Sequence, residues 1–225
     1  LSDAHFGIGL YHYYAAVAPA AAKMLRFLLL LPGGDRATGL REMIDTRDKG
    51  TILQGEADYQ LHWLYLWYEN QPKEARRLLE GLAARYPTNP IFMQRQAEVA
   101  SEYFHDHPAS ARIWETLLDA AIGRKVKAAE IAVVRARLGL AAELEQLFET
   151  DRAIDHLNAV VAAAPSAPYG ALARAHVLLG DAYLRLARTD DARSAYRSAL
   201  AHVPADRKST RLNSSHEALS RMPSS

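Results

Sequence analysis

The sequence predicts an all-α fold, a right-handed α-solenoid of about five helix hairpins with an N-terminal capping helix. Three observations predict it. Alanine and leucine dominate and β-branched residues are few, which favours helices over strands. Five segments repeat one apolar pattern, a small residue followed by larger apolar ones about four and seven places on, so that all three share a helical face. Their small residues are Gly39, Ala75, Ala111, Ala153 and Ala192, spaced by 36, 36, 42 and 39 residues. Self-similarity at such a period is the mark of stacked hairpins. The last segment, Leu179 to Pro204, is the most complete: Gly180 and Ala192 are small enough for two helices to approach closely, Tyr183 and Tyr196 fill the space beside them, and Pro204 ends the second helix.

The elements follow in order. A first helix is expected near Asp3 to Ala18 as a cap, because an open solenoid end exposes apolar surface. The longest apolar stretch, Ile8 to Leu31, is interrupted by Pro19, Lys23 and Arg26. A spanning helix needs about 20 mainly apolar residues without such charges, so the stretch reads as two buried helices broken at Pro19. Gly7 and Gly9 allow close packing, and Gly33-Gly34 allow a sharp turn. Asp35 caps a helix starting at Arg36, which carries Gly39, Met43 and Thr46 on one face; Arg36 is placed to pair with a neighbouring carboxylate. Asn70-Gln71-Pro72 turns one helix into the next, where Ala75, Leu79 and Leu82 run to a stop at Pro87. Asn89-Pro90 opens another helix, and Ala111, Trp114 and Leu118 lie in the one entered through Pro108. A long helix, roughly Lys125 to Phe148, explains the 42-residue interval. Ala153, Leu157 and Val160 end at Pro165, the loop Pro165-Ser166-Ala167-Pro168 lengthens the next interval, and Asp190 caps the last helix.

Leu179-Gly180, Tyr183, Ala192, Tyr196, Ala199 and Pro204 together resemble the signature of a tetratricopeptide repeat (TPR), whose period is about 34 residues. The resemblance implies a protein-binding array whose first helices line a concave groove. Carrying the repeat phase along the chain assigns to that groove Gln60, Trp67 and Tyr68 in one repeat, Gln96 and Tyr103 in the next, then Arg135 and Glu145, and finally Arg174, Asp181 and Arg185. The groove would be aromatic at one end and charged at the other, and aromatic and Arg anchors carry much of the energy at protein interfaces. Val177 and Asp181 occupy the positions where chaperone-binding TPR proteins place a Lys and Asn carboxylate clamp, which argues against that clamp.

The segment Phe6-Gly7-Ile8-Gly9-Leu10-Tyr11-His12-Tyr13-Tyr14, followed by Pro32-Gly33-Gly34-Asp35-Arg36 and Gly39-Leu40, resembles the N-terminal part of the eukaryotic TPR family of inclusion-body-clearance proteins of the mitochondrial outer membrane. That resemblance covers about forty residues and implies an adaptor-like role without catalysis.

Composition narrows the function classes. The 225 residues carry a net charge of +1 with cations and anions interleaved, and no basic stripe tracks a phosphate backbone, so nucleic acid is not expected as a partner. Without cysteine there is neither disulfide nor thiolate metal site. His105-Asp106-His107 is the most metal-like cluster, but it lacks a third ligand and reads as an interhelical turn. His5 and His12 are seven apart on one face, too far to share an ion, and His62 and His176 fall at packing positions. No nucleophile-elbow or Ser-His-Asp order appears, so no catalytic residue, metal or cofactor is expected. The domain is taken as residues 1–206. Residues 207–225 are serine-rich and aperiodic, and are read as a disordered tail; Lys208 to Ser225 resemble adapter-derived read-through of a metagenomic, bacterial sequence. Setting Lys208 to Ser225 aside leaves a body of net charge −1. The leading reading is a non-catalytic protein–protein interaction scaffold that binds a partner segment in the groove. The alternatives are a docking or regulatory fragment of a larger enzyme, or an envelope-associated assembly factor, in the cytoplasm or periplasm.

Overall fold

The structure is a computed structural model that describes residues 2–202. Pro204, the expected stop of the last helix, and the tail 207–225 lie outside the described residues. After a short 3-10 turn at Ser2–Ala4, these residues form eleven α-helices and no strand: α1 His5–Val17, α2 Ala20–Leu28, α3 Arg36–Lys49, α4 Gln54–Trp67, α5 Pro72–Arg85, α6 Pro90–Phe104, α7 His107–Ile122, α8 Ala129–Gln146, α9 Thr150–Ala163, α10 Ala171–Arg185 and α11 Thr189–Ala201. The chain divides into two compact units, one up to Tyr86 and one from Pro87 onward.

In the first unit α1 packs on α3, α3 on α4 and α4 on α5. The α1–α3 pair is antiparallel, since His5 meets Asp45 at 2.9 Å and His12 meets Glu42 at 2.7 Å. The two helices cross at glycine. A Cβ on Gly39 would lie 2.5 Å from the Tyr13 nitrogen and 2.6 Å from the Gly9 carbonyl oxygen. The expected close packing at Gly9 is thus present. Gly7 and Gly33 face open space instead, and Gly34 is small because the chain entering α3 runs against α1, where a Cβ would meet the His12 carbonyl oxygen at 2.4 Å. Met43, Thr46, Ala75, Leu79 and Leu82, all expected on inward faces, are fully buried, with Tyr13, Leu61 and Leu64 beside them.

The caps follow the sequence signals in part. Asp35 accepts a hydrogen bond from the Thr38 backbone N–H at 2.6 Å, and Pro72 opens α5 at its first turn. Arg36 pairs with Glu69 through two nitrogens at 2.9 Å each and donates to the Tyr68 carbonyl. Asp3 closes the far end of the unit by accepting from the backbone N–H groups of Thr51, Ile52 and Leu53.

The burial expected of the Ile8–Leu31 stretch fails in its second half. The stretch Ile8 to Leu31 does break at Pro19, but α2 is not buried: none of its residues is, and Phe27 is 77% and Leu30 90% exposed. α1 finds its partner in α3, directly across α2, so α2 has no face left to cover.

The second unit stacks the hairpins α6–α7, α8–α9 and α10–α11, and the first helices are neighbours, α6 with α8 and α8 with α10. The inward sets Ala111, Trp114 and Leu118, then Ala153, Leu157 and Val160, then Ala192, Tyr196 and Ala199 are all buried. Glycine here admits aromatic rings rather than backbone: a Cβ on Gly180 would be 2.4 Å from the Tyr196 ring, and one on Gly139 would be 2.3 Å from the Trp114 indole. The long helix α8 is shorter than expected by a few residues at each end because Ala128 and Phe148 adopt left-handed backbone. Asn89 caps α6 through the Ile91 N–H. Asp190 does not cap α11. The N-cap is Arg188, with no side-chain cap, and Asp190 lies inside the first turn, paired with Arg193.

Candidate protein-interaction surface

The ten residues assigned to a groove divide between the units. In the first, α4 carries Gln60 and Trp67, and Tyr68 follows at its end. The helix is apolar nearly all round, so most of its aromatic run is core: Leu64, Tyr65 and Leu66 are buried. Trp67 escapes, 59% exposed, with its ring 4.2 Å from that of Trp63. Tyr68 meets Tyr13 and Tyr14 edge to face at centroid distances of 5.8 and 6.0 Å. It therefore helps to bind α4 to α1, although 40% of it remains exposed. Gln60 donates to Glu56 one turn earlier at 3.1 Å.

Behind Tyr68 lies a polar network that the sequence signals only through Arg36. Tyr13 donates its hydroxyl to Glu69, the carboxylate that Arg36 grips from the other side. Arg36 holds the Glu69 carboxyl below the usual range, and burial together with Glu69 pushes the Tyr13 hydroxyl up. A buried tyrosine and a carboxylate are thus both satisfied, which keeps the network stable in an apolar setting.

In the second unit α6 carries Gln96 and Tyr103, α8 Arg135 and Glu145, and α10 Arg174, Asp181 and Arg185. Because α8 neighbours both α6 and α10, its polar side chains reach both ways. Arg135 donates to Gln94 of α6 at 3.3 Å. Glu145, buried, accepts Arg185 of α10 at 2.8 Å, and its other oxygen, Oε1, has no hydrogen-bond partner among the described residues. Arg185 also lies 5.7 Å from the exposed ring of Phe148. Arg174 is exposed and makes no ion pair among the described residues. Asp181 is turned toward its own hairpin: it accepts the Tyr196 hydroxyl at 2.5 Å, and burial together with Asp181 pushes that hydroxyl up. Gln96 and Tyr103 are half-buried.

The histidines have structural partners. In the His105-Asp106-His107 turn, His105 takes the left-handed position ending α6, Asp106 caps α7 through the Ala109 N–H at 3.0 Å, and His107 pairs with Glu143 at 2.8 Å. His62 is fully buried and contacts the Tyr59 carbonyl. His176 stacks on His202 at 5.6 Å. Among the described residues no three His, Asp or Glu side chains gather where they could hold a metal ion, and no helix is long and apolar enough to cross a membrane.

Comparison with known proteins agrees with this architecture. A tetratricopeptide-repeat family model matches residues 174–205, the α10–α11 hairpin. Two solved structures superpose on it: MamA from Desulfovibrio magneticus RS-1, from residue 41 to its end, at 20% identity and TM-score 0.52 over 74% of this chain and 92% of that one, and a MamA RS-1 double mutant designated ArsTM, at 19% and 0.52 over 74% and 90%. No curated protein matches the sequence significantly. The chain thus carries a tetratricopeptide repeat at residues 174–205, set in an all-α array of helix hairpins of the kind these structures share.

Proposed function

We propose that the chain is a non-catalytic scaffold that holds a segment of a partner protein along the face built by the first helices α6, α8 and α10. The observation that carries this reading is the disposition of arginines on that face. Arg135 comes from α8 and Arg174 and Arg185 from α10, and among the described residues only Arg185 is neutralised by a carboxylate, Glu145. Arg135 and Arg174 are both exposed. Exposed arginines with no carboxylate of their own suit a partner segment bearing acidic side chains, because the guanidinium fork binds carboxylate in two-pronged geometry. Gln96 and Tyr103 would extend the surface on α6. In the first unit, Trp67 and its stack on Trp63 form a separate aromatic contact.

The test is capture of partners by the whole chain and by Arg135→Glu/Arg174→Glu. Both side chains are exposed, so the melting midpoint should stay where it is. A partner retained by the wild type and released by the double variant, in a salt-dependent manner, is the expected result. Equal retention by both proteins would remove the arginine face from consideration.

A further inference from the structure

The feature no hairpin accounts for is α2. Met24, Leu25, Phe27, Leu28, Leu29, Leu30 and Leu31 are each at least half exposed, a run of large apolar side chains between Pro19 and Pro32. Single exposed apolar residues are ordinary, but a contiguous patch of this kind marks an interaction site. Its chemistry narrows the occupant. From Ala4 to Gly34 the chain has no Asp or Glu, while Lys23 and Arg26 lie within the helix. Lys23 is exposed; Arg26 is half-buried and donates to the Ala15 carbonyl at 2.6 Å, which fixes the root of the segment to α1. Tyr11, itself partly exposed, donates its hydroxyl to the Pro32 carbonyl at 2.7 Å at the segment's other end.

We infer that α2 and the Leu29–Leu31 turn dip into one leaflet of an anionic lipid surface. Three observations favour lipid over protein. The apolar groups point in several directions: Met24, Phe27 and Leu28 share one side of the helix, Leu25 lies on another, and the leucines of the turn continue beyond it. A groove on a protein takes one face of a helix; acyl chains take all sides. The N–H groups of the tip are also satisfied from within, which eases their entry into hydrocarbon: Leu29 donates to Leu25, Leu30 to Phe27 and Leu31 to Arg26, at 3.0 to 3.1 Å. Finally, Lys23 and Arg26 in the helix and the Tyr11 ring at the segment's Pro32 end are residue types that suit the headgroup layer, where basic and aromatic side chains prefer to lie. At 1.5 Å per residue the nine-residue α2 is about 14 Å long, roughly half of a bilayer's hydrocarbon core, so it enters without crossing. A second copy of the chain is a poorer occupant. A symmetric α2–α2 contact would bring the cations of both copies together with no acidic residue of the segment to offset them.

The test is co-sedimentation of the full chain with vesicles of phosphatidylcholine alone and of three parts phosphatidylcholine to one of phosphatidylglycerol. The wild type should sediment with the anionic vesicles and far less with the neutral ones. Phe27→Asp/Leu30→Asp should lose at least about tenfold in partitioning, and Lys23→Glu about fivefold. These side chains are exposed, so the helical circular dichroism and melting midpoint should not move, and Arg135→Glu/Arg174→Glu should bind vesicles like the wild type. Three results would overturn the inference: a wild type that ignores both vesicles, variants that sediment as well as the wild type, or a wild-type dimer in light scattering that Phe27→Asp/Leu30→Asp dissolves while no vesicle binding is seen.

Discussion

The first and last hairpins solve one packing problem in different ways. Both bring two helices together at glycine. In α10–α11, Gly180 makes room for the ring of Tyr196, a side chain that is almost fully buried. In α1–α3, Gly39 and Gly9 let backbone approach backbone, and what surrounds the crossing is polar: His5–Asp45, His12–Glu42, the Asp3 clasp and the Tyr13–Glu69–Arg36 network. The last hairpin is therefore held mainly by a filled interior, and the first by a close crossing fastened at its edges. The first also lets its α2 segment stand outside the packing, since nothing in the α1–α3 contact needs it.

The sharpest way to break this comparison is to empty the interior of the last hairpin. Tyr196→Ala removes a buried ring facing Gly180 and leaves Asp181 without its donor; large-to-small aromatic changes in cores cost about 3–5 kcal/mol. Hydrogen exchange read by mass spectrometry should show protection lost in α10 and α11 and retained in α1 and α3. Uniform loss in both units would mean that the two hairpins do not have separate supports.

A smaller effect, of the opposite kind, is expected at the other crossing. Gly39→Ala gains up to about 1 kcal/mol of helix propensity. Its new Cβ, however, meets backbone atoms at 2.5 and 2.6 Å, which no rotamer change can relieve. Overpacking of this sort costs about 1–3 kcal/mol, so the net change should be destabilising and confined to the first unit. A stabilised variant would show that α1 can slide along α3, and that its polar fastenings are slack.

Much of this architecture was legible in the sequence. The five inward sets at Gly39, Ala75, Ala111, Ala153 and Ala192 fall on buried faces because a helix that packs on two sides must repeat small and large residues in step with its turns. The tyrosine that fills the Gly180 gap was legible for the same reason. The exposure of α2 was not. An apolar run carries no mark of whether its partner is another helix of the same chain, and periodicity alone assigns it to the interior. Only the glycine crossing, which joins α1 to α3 directly, shows that α2 was passed over. The surface of first helices was legible as a phase. The pairing within it was not, because Asp181 turning to Tyr196 and Glu145 to Arg185 depend on where two helices meet, which no single repeat encodes.

Acid should separate the two regions further. The three backbone N–H groups that Asp3 accepts, that of Leu53 foremost, hold its carboxyl down at about 2. A carboxylate with a depressed folded pKa contributes stability that is present above its unfolded value, near 4, and fades as the pH falls toward 2. Burial pushes Asp58 of the same unit up despite its pairing with Arg85, so Asp58 works in the other direction. The informative quantity is consequently the difference between wild type and Asp3→Asn. That difference should be clear at neutral pH, shrink as the pH falls toward 2 and vanish only below it, as monitored by exchange at Thr51–Leu53. A difference that persists unchanged into acid would make the clasp one of shape rather than of charge.

The smallest expected effect tests the two aspartates that look alike in sequence. Asp35 and Asp190 both read as caps in the sequence, but Asp190 lies inside the first turn of α11. Asp35 accepts the Thr38 N–H at 2.6 Å, and Thr38, through its side chain first and this N–H second, holds the carboxyl below the usual range. Asp190, itself exposed, pairs with the half-buried Arg193 three residues on, and pairs one turn apart at a surface contribute little. Asp35→Ala should lower the melting midpoint of the first unit and speed exchange at the start of α3, since an unmade N-cap leaves helix N–H groups without an acceptor. Asp190→Ala should leave α11 as protected as before. If Asp190→Ala frayed α11 as much as Asp35→Ala frays α3, its carboxylate would be acting on the helix dipole rather than on a single N–H, and the last hairpin would depend on its edge as the first one does.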